Sequence, residues 1–351
     1  MKHQLKKCSW EITRKCNMNC IHCCCGDSKF DSNDELTHEE ALDVVKQIVE
    51  MGVERVTLTG GEPLLREDWQ ELAKIMSENG VFVDMITNGW QIDKNVIRNL
   101  KNVGIGAVGV SVDGIPETHD RIRGAWSYDN CMSGVQQLVS AGIPVTAVTT
   151  VQKLNVGQLE QIAADLRKRG VRAWLIQLAM PFGNMKENSD LMLDPQDIEQ
   201  VIDFCYRESQ NQDLRIHMGD SLGYYTKKET VVHSRTFGVN VPAVWKGCPA
   251  GMDSLNIACD GDIFGISLSV DQLKAGSLRE RSLKDIWNDD DAFAFRRKLD
   301  PKKFKGFCGT CRYVETCLGG CLGMRLSTSG DIYGENPYCA YRNAVLRGEE
   351  V

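Results

Sequence analysis

The chain has no apolar run approaching the ~18 residues of a membrane-spanning helix, and the basic segment Met1-Lys2-His3-Gln4-Leu5-Lys6-Lys7 is followed by no apolar stretch of the kind that directs secretion. These absences argue against a membrane or secreted protein and for the cytoplasm. An excess of positive charge is missing as well: 41 Lys and Arg against 48 Asp and Glu give a formal net charge of −7, so neither nucleic acid nor an anionic membrane is an expected partner. No internal repeat is present. With 42% hydrophobic and 25% charged residues in 351, the composition is that of an ordinary globular protein. The length suits one large and one small domain, or a barrel with an appendage.

Cysteine is what the chain has in abundance, with 15 residues. In a large chain without a secretion signal, and grouped in C-x2-C and C-x3-C spacings, they point to metal or cluster ligation rather than disulfides. The sharpest group is Cys16-Asn17-Met18-Asn19-Cys20-Ile21-His22-Cys23. Three thiolates on one loop do not complete a tetrahedral zinc site unless Cys24, Cys25 or His22 supplies a fourth ligand. They do suffice to hold a [4Fe–4S] cluster by three irons, leaving the fourth iron open to a substrate or cofactor. Such clusters are oxygen-sensitive, which implies an anaerobic or low-oxygen cytoplasm.

Along the first half of the chain, short β-branched runs alternate with amphipathic stretches, the α/β pattern. The sequence predicts strands at 8–13, 53–59, 81–87, 105–111, 144–151 and 173–179. Helices are expected from a Thr37-x-x-Glu40 capping box through Met51, over 68–79, 93–102 and 129–141, and from an Asn155 cap to Arg169. Six β/α units imply a partial (β/α)6 TIM-like barrel, in which chemistry collects just past the C-terminal ends of the strands.

Those positions are rich in polar groups and glycine. Thr59-Gly60-Gly61-Glu62-Pro63 follows the second strand, Thr87-Asn88-Gly89 the third and Ser111-Val112-Asp113-Gly114 the fourth. Each is also an ordinary turn taken alone. His119-Asp120-Arg121-Ile122-Arg123-Gly124 comes next, and Arg121 or Arg123 is suited to bidentate pairing with a carboxylate. Gln177 and Pro181-Phe182-Gly183 follow the sixth strand, where the walls around a bound ligand and substrate would be. From 185 to 246 the sequence is less explicit: Asp194-Pro195 reads as a cap and first residue of a helix to Ser209, and Met218, Tyr224, Tyr225 and Trp245 are candidates for a substrate cleft or for packing.

The tail changes character. Cys248, Cys259, Cys308, Cys311, Cys317, Cys321 and Cys339 hold nearly half of the thiols, with the spacing C-x2-C-x5-C-x3-C from Cys308 to Cys321. By itself this suits two zinc ribbons or one or two iron–sulfur clusters.

Taken together, the C-x3-C-x2-C loop, the Gly60-Gly61-Glu62 turn and the HDxxRG segment resemble the radical S-adenosylmethionine (SAM) family, and the tail is similar to its SPASM auxiliary-cluster domain. The resemblance divides the chain into a radical SAM partial barrel (1–184), a linker and substrate region (185–246) and a small Cys-rich iron–sulfur domain (247–351). It implies a cluster on Cys16, Cys20 and Cys23. It also implies SAM contacts from Gly60, Gly61, Glu62, Thr87, Asn88, Ser111, Asp113 and one of Arg121 and Arg123, with His22 where the family has an aromatic side chain near the adenine. The implied chemistry is reductive cleavage of SAM to a 5′-deoxyadenosyl radical that abstracts hydrogen from an unactivated C–H bond. A low-potential donor of the flavodoxin or ferredoxin type would supply the electron.

In the SPASM pattern Cys308, Cys311, Cys317 and Cys339 share one [4Fe–4S] cluster, while Cys321 reaches back to an inner one with Cys248. The pattern's next Cys is replaced by Ile266. The inner cluster is therefore expected either to be absent or to be held by Cys248, Cys259 and Cys321 with an open iron. Sulfatase maturation is disfavoured, because Ile266-Ser267 stands where those enzymes have a Cys and an acid. Cys131, Cys205, Cys24 and Cys25 are candidate thiol hydrogen donors. The expected substrate is a ribosomally made peptide that receives a cross-link, thioether or epimerisation, recognised by the barrel or by a separate leader-binding protein, since the 15 residues before Cys16 are too few for a fused one. Tetrapyrrole-like cofactor maturation is the second enzyme reading, and a non-catalytic iron–sulfur electron carrier the reading from another class.

Overall fold

The computed structural model describes residues 3–25, 34–238 and 245–349. Seven parallel strands run in chain order, β1 (Lys7–Thr13), β2 (Arg55–Gly60), β3 (Phe82–Thr87), β4 (Ala107–Ser111), β5 (Val145–Val151), β6 (Ala173–Leu178) and β7 (Arg215–Met218). Helices connect them: α1 (His38–Glu50), α2 (Trp69–Glu78), α3 (Lys94–Asn102), α4 (Pro116–Arg123), α5 (Ser127–Ser140), α6 (Leu159–Lys168), α7 (Asn184–Glu187) and α8 (Ile198–Glu208). On the other flank of β1 lies β8 (Ser254–Ile257), parallel to it, followed by the antiparallel β9 (Asp262–Phe264) and β10 (Lys274–Ser277). The result is one ten-stranded sheet in the order β10-β9-β8-β1-β2-β3-β4-β5-β6-β7.

Local signals account for much of this. Thr37 Oγ1 accepts from the Glu40 amide at 3.2 Å and the Glu40 carboxylate accepts from the Thr37 amide at 2.8 Å, the reciprocal capping box that starts α1. Ala41, Val44, Val45 and Ile48 then fall on one face and are buried. In β1, Trp10 and Ile12 are fully buried, each removing from water apolar surface equivalent to about 1.5–3 kcal/mol for a large aliphatic side chain.

The sequence expectation of six strands is met, and four more join the sheet. Strand β7, Arg-Ile-His-Met, carries too little β-branched content to stand out. The three strands of the tail continue the barrel sheet, so the Cys-rich segment shares its framework. Two helix starts also differ from expectation. Asn155 caps no helix: its amide donates to the carbonyls of Asp113 (2.9 Å) and Thr150 (3.0 Å) and its carbonyl accepts from the Gln152 amide (2.8 Å), tying the ends of β4 and β5, and α6 begins only at Leu159. Asp194 precedes a 3-10 turn, Pro195–Asp197, and its carboxylate pairs with Lys153 at 3.2 Å instead of capping.

The tail docks on the barrel through polar contacts. Tyr338 donates to the Leu193 carbonyl (2.7 Å), Asn343 to the Pro195 carbonyl (2.8 Å) and Trp287 to the His3 carbonyl (3.0 Å).

Candidate active site

Cys16, Cys20 and Cys23 lie just past the C-terminal end of β1. All three line a cavity of about 1580 Å³ that runs through the barrel and reaches the tail. Their thiols are free and electrostatically coupled to one another. Burial pushes the Cys23 thiol up to about 11, so deprotonation there depends on the charge of a bound metal. Among the described residues no three His, Cys, Asp or Glu side chains converge on a single ion. A zinc site needs that convergence, with sulfurs about 2.3 Å from one ion; the corners of an iron–sulfur cubane accept thiolates spaced more widely.

The loop's shape is imposed by its neighbours. Gly60 has φ +137°, and a Cβ there would stand 2.0 Å from the Thr13 carbonyl oxygen; one on Gly61 would stand 2.3 Å from that of Lys15. The Gly61 and Glu62 amides donate to those same carbonyls at 2.7 and 2.8 Å. The glycine pair thus clamps the stem of the cluster loop as well as lining the cavity. From the far side, the segment after β6 grips the loop. The Asn184 amide donates to the Cys23 carbonyl (2.9 Å), its side chain to Asn19 (2.7 Å) and the Cys20 carbonyl (3.0 Å), and Asn188 to the Ile21 carbonyl (3.1 Å). Asn88 bridges to Asn17 at 2.7 Å. No motif in the sequence marks Asn17, Asn184 or Asn188 for this task; of the expected wall residues Gln177 lines the cavity, while Gly183 packs on the Cys23 and Cys24 backbone.

Of the two arginines, Arg121 is exposed and Arg123 lines the cavity. Arg123 Nε donates to Asp113 Oδ2 at 2.5 Å, and Nη1 lies 3.8 Å from Cys20 Sγ. Asp113 is fully buried; its other oxygen accepts from the Thr150 amide at 2.7 Å. Burial alone would raise its pKa, but the Arg123 charge holds it below the usual carboxylate range. His22 is also buried, with Nε2 3.4 Å from Asp113 Oδ2. Desolvation brings its pKa down to about 4, and its buried Nδ1 has no hydrogen-bond partner. The cavity wall thus carries a neutral imidazole.

Thr87, Asn88 and Ser111 line the cavity; Glu62 and Asp113 do not. Glu62 spends both oxygens internally, accepting from Thr87 Oγ1 (2.7 Å), the Asn88 amide (2.8 Å) and the Leu64 amide (3.3 Å). It shapes the β3 end rather than presenting a free carboxylate. Cys131 and Cys205 are fully buried and line neither cavity described here; Cys131 donates to the Ser111 carbonyl at 3.2 Å. As hydrogen donors to a substrate in the cavity they are displaced by their packing positions. Cys24 and Cys25 do line it, with sulfurs 3.7 Å apart.

In the tail, Cys308, Cys311, Cys317 and Cys339 surround one small apolar cavity with Tyr224, Tyr225, Tyr313 and Tyr341. Four mutually coupled thiols in a dry, aromatic enclosure fit a four-thiolate cluster. Cys248 and Cys321 form a separate pair in the wall of the large cavity, together with Ile266. Cys259 is not with them: its electrostatic neighbours are Arg14, Asp260, Glu11 and Glu35. The strand pair β8–β9 sends it to the opposite side, so the structure does not bring it to the inner site.

A partial β/α barrel with a three-cysteine loop at its C-terminal mouth and a Cys-rich annex on its sheet edge defines an iron–sulfur enzyme of the SAM-cleaving class. Comparison with known proteins gives the family. Residues 10–166 match the Radical SAM superfamily and residues 248–312 the iron-sulfur cluster-binding SPASM domain. The chain belongs to the radical SAM enzymes that carry a SPASM domain, and it is similar to several of them over nearly its whole length. It is 29% identical to AdoMet-dependent heme synthase of Methanosarcina barkeri, over 95% of this chain and 96% of that protein. It is 28% identical to mycofactocin maturase MftC of Mycobacterium tuberculosis, over 94% of this chain and 82% of that one. Streptococcus suis SuiB bound to S-adenosylmethionine shares the fold with a TM-score of 0.74 at 16% identity, covering 96% of this chain and 78% of SuiB. SAM, a [4Fe–4S] cluster and auxiliary iron–sulfur clusters are the cofactors of this class. No helix among the described residues is long and apolar enough to cross a membrane.

Proposed function

We propose that this radical SAM/SPASM enzyme is a cytoplasmic maturase of a ribosomally made peptide, installing a cross-link, thioether or epimerised centre. Cys16, Cys20 and Cys23 hold the SAM-binding cluster, and Cys308, Cys311, Cys317 and Cys339 an auxiliary one. Bound there, SAM and its cluster supply reductive cleavage and abstraction of hydrogen from an unactivated C–H bond. The chain's own residues orient and enclose. Arg123, fixed by Asp113, offers a cation to the SAM carboxylate; neutral His22 offers its ring to the adenosine; Thr87, Asn88 and Ser111 offer hydroxyl and amide groups. Electrons come from a low-potential flavodoxin or ferredoxin type of donor, and the barrel or a separate leader-binding protein supplies leader recognition.

The observation that carries the peptide reading is the cavity's size together with its apolar wall. At about 1580 Å³ it exceeds the roughly 300–1,000 Å³ of a single small-ligand site, which leaves room for a substrate beside SAM. The wall between the cluster loop and the Cys248/Cys321 pair is Leu178, Met180, Met218, Ile266 and Leu268. Of the basic residues lining it, Arg123 pairs with Asp113, Arg55 with Asp84 and Arg14 with Glu11, while Lys7 and Lys15 have no ion pair within 4.0 Å among the described residues.

The second reading, maturation of a tetrapyrrole-like cofactor, is favoured by the names of full-length relatives such as the heme synthase above. One experiment separates them. Reconstituted enzyme, SAM and dithionite are incubated either with the peptide encoded by a short neighbouring reading frame or with an iron-coproporphyrin, and the products are read by mass spectrometry. A mass loss of hydrogens on the peptide, or uptake of deuterium from D2O at an epimerised centre, supports the proposal. Conversion of the porphyrin alone overturns it, and no 5′-deoxyadenosine above a Cys20→Ala control overturns both.

A further inference from the structure

The inner auxiliary site retains two thiols of the family pattern, Cys248 and Cys321, and both are held as a metal-binding pair would be. Cys321 is the N-cap residue of the helix Leu322–Ser329. The Gly323 and Met324 amides lie against its sulfur, and the Leu322 and Ala250 amides against that of Cys248. Two buried sulfurs at the first turn of one helix each face backbone N–H groups, and hydrogen bonds to sulfur are what tunes protein-bound iron–sulfur clusters.

A third donor stands beside them. Asp220 follows β7 by two residues and lines the same cavity as Cys248 and Cys321. Its main chain is tied to that of Cys321 through a single oxygen: the Tyr224 hydroxyl donates to the Asp220 carbonyl at 2.5 Å and accepts from the Cys321 amide at 2.8 Å. Tyr224 is fully buried and adopts φ +96°, a conformation that a bulky residue keeps only when its surroundings fix it. The Asp220 carboxylate is accessible from the cavity, is electrostatically coupled to both cysteines, and has no ion pair within 4.0 Å among the described residues. Ile266 fills the remaining corner, packed toward Gly323, and has no donor atom.

We infer that Asp220, with Cys248 and Cys321, ligates an inner auxiliary [4Fe–4S] cluster, taking the place left by the missing cysteines. Carboxylate oxygen is an accepted ligand of iron. Three protein ligands leave one iron free on the cavity side, where a thiolate or carboxylate of the substrate is the class of ligand it takes. The assignment rests on the reading of the C-terminal segment as a cluster-binding domain.

The test uses the full chain carrying Cys16→Ala, Cys20→Ala and Cys23→Ala, reconstituted anaerobically, with iron counted per chain and Mössbauer spectra recorded. None of these variants cleaves SAM, so the outcome is independent of the substrate proposal, which the wild-type chain tests separately. Roughly eight irons are expected, falling to roughly four on adding Asp220→Ala. Asp220→Cys, which keeps a ligand at the position, should restore roughly eight with an altered spectrum. Roughly four irons in the parent variant overturn the inference, as do eight irons with an unchanged spectrum in Asp220→Ala, or a folded Asp220→Cys protein with only four.

Discussion

Arg123 joins the two halves of the cofactor site: its Nε holds Asp113 at 2.5 Å while its Nη1 stands 3.8 Å from the sulfur of Cys20. Asp113 is in turn fastened to β5 by the Thr150 amide, so the guanidinium is fixed to the barrel and faces the cluster loop. Breaking a buried pair leaves an uncompensated charge, at a cost of about 3–5 kcal/mol.

The first prediction contrasts the two arginines. Arg123→Ala should weaken SAM binding at least tenfold, about 1.4 kcal/mol or more, with 5′-deoxyadenosine formation falling in parallel. Arg121→Ala, at an exposed position, should change SAM affinity less than about twofold, within the range of ordinary surface substitutions. Equal losses in both variants would show that the HDxxRG segment acts only through folding.

A second prediction follows from the glycine pair. A methyl group at Gly60 meets the Thr13 carbonyl oxygen at 2.0 Å, and backbone cannot swing aside as a side chain can. Gly60→Ala should displace the loop stem and lower cluster loading by roughly four irons per chain, leaving the auxiliary clusters in place. Iron quantitation decides it; full loading with normal SAM cleavage would mean the stem has slack that the geometry denies.

What the sequence disclosed was what lies close together in it. The Cys16–Cys23 loop, the Thr37–Glu40 capping box and the polar strand ends are contiguous signals, and their structures follow from local chemistry. Asn184 escaped notice because its partner, the Cys20 carbonyl, is 164 residues away. The second duty of Gly60 and Gly61 escaped notice for a similar reason: a turn of two glycines looks alike whether it faces only a ligand or also another stretch of backbone. Glu62 looked like a free acceptor until Thr87 and Asn88 were seen to occupy it. Asp220 was invisible because β7 is four residues long and its loop carries no motif, and Cys259, a candidate substitute through its nearness in sequence to Ile266, has Arg14, Glu11 and Glu35 as neighbours across the β8–β9 reversal rather than Cys248 and Cys321.

The buried thiols of the barrel give a third prediction. Cys205 sits in α8 and Cys131 in α5, both fully enclosed, and burial raises both thiols far above the ordinary range. Neither lines the substrate cavity. Cys205→Ala should cost on the order of 1 kcal/mol in stability through the small void it leaves, while the rate of 5′-deoxyadenosine formation and the product distribution stay unchanged. A change of product, such as accumulation of a species lacking the final hydrogen, would restore Cys205 as a hydrogen donor.

The last prediction concerns Glu229, at the first turn of the helix Lys227–Phe237 beside the outer four-cysteine site. Its side chain is buried and receives the backbone amides of Thr226, Tyr225 and Tyr224, holding a turn in which Tyr224 and Tyr225 both have positive φ. Desolvation pushes its pKa up to about 8, against the pull of those N–H groups. In the unfolded chain the same carboxyl titrates near 4.3. Between these values the native state keeps a proton that the unfolded state has lost, so unfolding becomes easier as pH rises through the window. The stabilisation is complete below the unfolded value and gone above about 8. For cluster-loaded protein kept anaerobic, the melting temperature should fall between about pH 6 and pH 8, by a few degrees for a change of no more than about 3 kcal/mol. Glu229→Gln, which accepts the same amides without a charge, should flatten that slope and be the more stable protein at pH 8. Parallel melting profiles for the two proteins would place the pH dependence elsewhere and leave Glu229 ionised without penalty in its enclosure.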